Sequence, residues 1–163
     1  MMEAELEVLQ AACDRLIASR QTLLLASRAA DGNADISYAP YLRADGSFYI
    51  FVSELAKHTK NLLAHPQASI MFIEDEADAG NPFARRRLML ECRAREIPKT
   101  DPEHQRILQA MAEKFGDIIG LLTSLPDFHL LALSPNQGQF VAGFGKAFAV
   151  DAQITLQAPL RRN

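Results

Sequence analysis

The 163-residue sequence has no run of about 18 apolar residues, the length a helix needs to cross a bilayer. Its opening, "MMEAELEVLQAACDRLIAS", is acidic and helix-patterned, unlike the basic and then apolar start of a secretory signal. A cytoplasmic protein with no membrane partner is therefore expected. Cysteine is scarce. Cys13 and Cys92 lie far apart, in different kinds of segment and without C-x-x-C spacing, so they are read as reduced, buried and inert. Positive charge is not in surplus either. The net charge of −3 excludes broad attraction to nucleic acid or to an anionic membrane, so any anion must be held by a local basic patch. The chain carries neither an internal repeat nor a low-complexity segment.

Signatures of metal and nucleophile chemistry are missing as well. His58, His65, His104 and His129 form no H-x-x-x-H or H-E-x-x-H pair, and no metal site is expected. The acidic cluster Glu74, Asp75, Glu76 and Asp78 lacks the spacing and glycine turn of a calcium loop and is read as a solvated loop. No serine sits in a G-x-S-x-G elbow. "GFGKAF", with Gly143 and Gly145, has neither the third glycine of G-x-G-x-x-G nor G-K-[ST], and reads as a tight bend between strands. No residue can be singled out as a catalytic acid, base or nucleophile.

What is present suits one ordinary domain, with 48% hydrophobic and 23% charged residues. Residues 3 to 18 place Leu6, Leu9, Cys13, Leu16 and Ile17 at helical spacing. Strand-like runs follow at 21 to 28, 34 to 42 and 47 to 53, separated by "ADGNAD" and "RADGS", whose Asp-Gly pairs signal tight turns; together they read as a meander. A helix at about 55 to 64 closes at "AHPQ", and "ASIMFIED" is a buried strand. "ARRRLMLECRAREI" is a long strand. A helical excursion over about 100 to 125 starts at Thr100 or Asp101, with Pro102 in first position. "FHLLALSP" and "GQFVAGFGKAFAV" return to strands, and "QAPLRRN" reads as unstructured. Strands in hairpin order, without strand-helix-strand alternation, predict a mainly β, α+β fold: an antiparallel barrel with peripheral helices over residues 1–150 and a tail at 151–163.

Two basic groups stand out. Lys57, His58 and Lys60 fall in the first turns of the 55 to 64 helix, where the macrodipole already disfavours cations by a few tenths to about 1 kcal/mol each. With backbone N–H groups free at that end and Ser53 placed to cap it, they form a candidate phosphate cradle. Arg85, Arg86 and Arg87 open the long strand, where alternation sends Arg85 and Arg87 to one face, able to reach the same anion. Spacing alone equally allows both groups to be surface charge, the arginines answering the "EDE" loop.

The stretch "SYAPYLRADGSFYIFVSELAKHTKNLLAHPQASIMFIEDEADAGNPFARRRLMLECRA", above all "HTKNLLAHP", "SIMFIEDEADAGNPFARRRL" and the later "FVAGFGKAF", resembles the pyridoxamine phosphate oxidase-like FMN-binding split-barrel flavoproteins, in particular their haem-utilisation branch. The similarity covers roughly residues 15 to 150. It implies a split barrel that dimerises with two ligand sites between subunits, and an FMN-dependent oxidoreductase acting on a small molecule. Lys57 and His58 fall on the positions that hold the FMN phosphate in relatives, and Val52 and Ser53 on those lining phosphate and ribityl chain. Arg87 matches a polar position near the flavin, and Ser37 or Tyr38 the other phosphate contact. The chain departs from the pattern twice. His58 replaces a lysine usual in the oxidases, and imidazole, with a pKa near ~6.5, is only partly charged at neutral pH. No histidine follows His129, whereas haem-utilisation relatives ligate haem through one near the C-terminus. The resemblance thus leaves haem binding or breakdown, with His58 or His65 as substitute ligand, and a non-catalytic cofactor carrier as the alternatives to a flavin enzyme.

Overall fold

The computed structural model describes residues 3–162. Helix α1 (Glu3–Ala18) is followed by strands β1 (Thr22–Arg28), β2 (Ala34–Pro40), β3 (Leu42–Ala44) and β4 (Ser47–Ser53), helix α2 (Lys57–Ala64) and strand β5 (Gln67–Ile73). After two short 3-10 turns come β6 (Arg87–Ile97), helices α3 (Pro102–Phe115) and α4 (Ile118–Thr123), then β7 (Phe128–Gly143), β8 (Lys146–Val150) and β9 (Leu156–Pro159). All pairings are antiparallel, in the order β2-β1-β5-β6-β7-β4-β3, with β8 and β9 branching from β7. β2 and β3, joined only by Tyr41, stand at opposite ends of that order, and β2 lies against β4. The sheet therefore rolls up, and Tyr41 is where its ends meet. Tyr41 is buried, its hydroxyl set against the carbonyls of Ile17 and Arg20 and its ring against Phe48 and Phe72.

The barrel predicted from sequence is present, with differences of detail. The runs at 21 to 28, 34 to 42 and 47 to 53 do not form a meander: β1 pairs with β2, but β4 pairs with β3 and β7 instead of β2. The "RADGS" turn forms as expected: Asp45 and Gly46 both take positive φ, 54° and 78°, the primed geometry that matches strand twist. The runs expected at 128 to 135 and 138 to 150 divide differently: the first and the start of the second are one 16-residue strand, β7, the rest is β8, and a bulge at Pro135–Gln137 opposite Glu91 and Cys92 accommodates the proline, which has no N–H for the ladder. The tail is partly ordered: β9 pairs with β8, and Gln10 clasps this segment by donating to the Ile154 carbonyl and accepting from the Leu156 amide, each at 2.8 Å. Asn163 lies outside the described residues.

Burial explains the patterning. Leu23 and Leu25 of β1, Ile70 and Phe72 of β5, and Leu88 and Leu90 of β6 alternate into the barrel, and α1 adds Leu9, Cys13, Leu16 and Ile17. β4 reads as a continuous apolar run because both its faces are covered. Phe48 and Ile50 point into the barrel, while Tyr49 joins a second cluster with Ile97, Leu130 and the α3 and α4 residues Ile107, Met111 and Ile119. Both cysteines are free and buried, and burial pushes each thiol up to about 12, so neither is a ready nucleophile. α3 begins where Pro102 and Asp101 predict, with the Asp101 carboxylate accepting from the Glu103 amide at 2.9 Å. Asp101→Ala should cost about 1 kcal/mol, read as a lower midpoint in urea unfolding.

Candidate functional site

The start of α2 is fixed by the last residue of β4. The Ser53 carbonyl accepts from the Thr59 hydroxyl at 2.6 Å and the Ala56 amide at 3.1 Å, so the chain turns tightly into the helix. Ser53 does not cap it, contrary to expectation. Its hydroxyl instead donates to Asp127 Oδ2 at 2.6 Å, and Ala56 occupies the cap position without a side-chain bond. A turn this short leaves the cap to whichever residue directly precedes Lys57, three positions beyond Ser53.

A cleft of about 270 Å³ runs along this helix start, between Asp35, Ile36, Ser37 and Tyr38 of β2 and Ala56, Lys57 and His58. Four sequence candidates, Ser37, Tyr38, Lys57 and His58, thus meet at one place. Lys57 is exposed, but His58 is not the exposed cation expected of a helix end: it is 9% exposed, and its Nδ1 lies 2.8 Å from Ser37 Oγ. Ser37 Oγ also lies 3.5 Å from the Leu25 carbonyl, which leaves it able to accept from a proton on His58 Nδ1 or to donate to that nitrogen. Burial lowers the His58 pKa, and the ring is neutral at neutral pH. Among the described residues its Nε2 has no partner, yet it is not closed off, because Arg20 Nε is the one fully buried side-chain polar atom there without a partner. With its proton on Nδ1, His58 presents a lone pair at Nε2 and no positive charge.

The other predicted residues separate. Lys60 lines a neighbouring cleft with Lys57, Asp31, Asp35 and Asn61, so two lysines and two aspartates share its walls. Val52 is buried in the barrel core, and His65 sits at the far end of α2, its amide donating to the Asn61 carbonyl at 2.7 Å. The arginines precede or barely enter their strand, which starts at Arg87 instead of at residue 84, so strand alternation does not orient all three. Arg85 donates to the Glu74 carbonyl at 2.6 Å and approaches Glu76, and Arg87 donates to the Arg85 carbonyl at 2.9 Å. Neither arginine lines the clefts at the start of α2; Arg85 answers the acidic loop.

Sequence reasoning missed the surface next to the cleft. The outward residues Leu24 of β1, Ile36 of β2, Met71 of β5 and Met89 of β6 form an open apolar hollow of about 400 Å³ around Gly138. Ile36, 80% exposed, belongs to both the hollow and the cleft, so an apolar floor continues into a rim carrying Lys57 and His58. Strand alternation could have found it: β1, β5 and β6 place leucine or methionine on the outer face where polar residues are usual. Asn61 was also missed. It secures α2 by donating to Asp35 Oδ2 at 2.8 Å and Ser27 Oγ at 3.1 Å.

This geometry can take a flat apolar molecule with an anionic edge. Heme oxygenase HutZ of Vibrio cholerae is 41% identical over 131 residues, which are 80% of this chain and 74% of that protein. The crystal structure of Vibrio cholerae HutZ, a heme storage protein, superposes with a TM-score of 0.76 at 35% identity, covering 82% of this chain and 93% of its own. Campylobacter jejuni ChuZ superposes with a TM-score of 0.83 at 26% identity, covering 96% of this chain and 66% of its own. The pyridoxamine 5'-phosphate oxidase profile matches residues 9–142, which hold every strand of the barrel except the last two and all of the α2 cleft, and the chain belongs to that family.

Proposed function

We propose that the protein binds haem, as a member of the haem-utilisation branch of its family, on the apolar hollow and the adjoining α2 cleft. The observation that carries this is His58. A phosphate cradle is best served by a cation at that position, whereas a buried imidazole with lowered pKa, engaged with Ser37 at Nδ1, suits a metal through Nε2. The porphyrin face would rest on Leu24, Ile36, Met71 and Met89, and Lys57 would meet a propionate. Iron supplies the redox chemistry when bound; the chain supplies the ligand nitrogen, the apolar seat and one positive charge. The likeness to HutZ over 80% of the chain supports the same reading.

A homodimer belongs to this proposal, because an uncovered apolar face of this kind on a β-sheet is what a second copy would bury around the ligand. The test is a titration of the purified protein with haemin, followed in the visible spectrum, together with its mass by light scattering. A saturable Soret shift and a dimeric mass are expected. A flavin spectrum released on denaturation, with no response to haemin, would overturn the haem reading in favour of a flavin-binding protein.

A further inference from the structure

His129 opens β7 on the side of the barrel that faces α3, and it is held in a way no neutral histidine can satisfy. Its Nε2 lies 2.7 Å from Glu54 Oε1, and its Nδ1 is in close contact with Glu96 Oε2. A neutral imidazole has one N–H, so one of the two contacts would set a lone pair against a carboxylate; both are attractive only in the imidazolium. The three residues come from the end of β6, the start of β7 and the link between β4 and α2. Lys99 and His104 line the same cleft and are the positive or ionisable groups opposing the imidazolium, while Asp127, two residues earlier, is engaged by Ser53.

The link that Glu54 belongs to is the one that aims α2. Val52 pairs with His129 and Ser53 with Phe128 in the ladder, the Glu54 amide donates to the Asp127 carbonyl at 3.0 Å, and three residues later α2 begins. We propose that His129 is a positioning residue: as an imidazolium it draws Glu54 onto Glu96 and so fixes the β4–α2 junction, and its deprotonation slackens the junction and the α2 cleft with it. The consequence for ligand rests on the reading of that cleft as the haem site, but the consequence for the junction does not.

The direction of the pH effect follows from the two carboxylates, whose hydrogen bonds raise the His129 pKa above its ordinary 6.5. A histidine whose pKa rises on folding stabilises the fold fully below the unfolded value, and that contribution is lost as pH rises through the folded value. The junction is therefore tight in mildly acidic solution and loosens on the alkaline side. His58 moves the opposite way, its pKa lowered, so its own step falls on the acid side and is distinguishable.

The test is NMR on the full chain between about pH 5.5 and 9, following the His129 ring and the amides from Glu54 to Thr59, with haemin affinity measured over the same range. The ring should titrate with a midpoint above 6.5, the amides should move with that same midpoint, and haemin affinity should fall through it. In His129→Gln the amides should lose this pH step. In Glu54→Gln, which keeps the histidine should the first variant not fold, the midpoint should shift down. A ring midpoint at or below 6.5, or amides that do not follow the ring, overturns the proposal. A protein blind to haemin whose amides still track His129 counts against the haem reading and for the positioning role.

Discussion

Gly138→Ala should destabilise the barrel by about 3 kcal/mol, seen as a large fall in the urea midpoint. A Cβ at this position would stand 2.1 Å from the Met89 carbonyl oxygen, 2.8 Å from Leu90 Cδ2 and 3.1 Å from Leu90 Cα. Two of those three atoms are backbone, so no change of rotamer relieves the clash; the ladder between β6 and β7 must open where Leu90 and Gly138 pair. Because Gly138 also floors the apolar hollow, the variant should lose ligand along with stability. Gly120→Ala is the control. Nothing lies within 4 Å of a Cβ there, and the residue is inside α4, so the change should be neutral or stabilise by about 0.5–1 kcal/mol. Equal losses at the two positions would mean that crowding at Gly138 is not the cause.

The second large effect is expected at His58. His58→Ala should weaken haemin more than about tenfold, a loss of about 1.4 kcal/mol or more, and move the Soret maximum. Ser37→Ala should act in the same direction and less strongly, since it removes the hydrogen-bond partner of Nδ1 that orients the ring and leaves the ring itself in place. Lys57 separates charge from ligation: Lys57→Ala should lower affinity modestly while leaving stability within about 0.5 kcal/mol, because the side chain is exposed. His58→Ala should also cost stability, as the ring is buried and hydrogen-bonded. For the wild type, a His58 pKa lowered by folding means that its contribution is full above the unfolded value of 6.5 and declines as pH falls below it. An unchanged Soret band in His58→Ala would remove this residue from the iron.

The barrel was legible because its turns and periods are local signals. Asp45-Gly46 announces a hairpin, Pro102 after Asp101 announces a helix, and alternation in β1, β5 and β6 announces half-buried strands. What was not legible depends on neighbours distant in sequence. Ser53 has the chemistry of a cap, but Asp127, 74 positions away, takes its hydroxyl. His58 reads as a surface cation until the fold is seen to bury it against Ser37, 21 positions earlier, and burial lowers its pKa. Arg85 and Arg87 look free to bind an anion, yet carbonyls of their own loop accept from both. Part of the site was legible, in Ser37, Tyr38, Lys57 and His58; its apolar half was not, because that surface appears only when four strands are set side by side.

The strand order also bears on how the chain is made. β4 must wait for β7, and some 75 residues separate Ser53 from Phe128, which at cellular rates is about 4–15 s of translation. Throughout that interval "SFYIFV" has left the ribosome without its β7 ladder partner, a stretch of high β-propensity and no charge. Early on, only the short β3 hairpin can occupy one of its edges. Holding chaperones should therefore engage nascent chains stalled between β4 and β7 and release them once the 128 to 133 segment emerges.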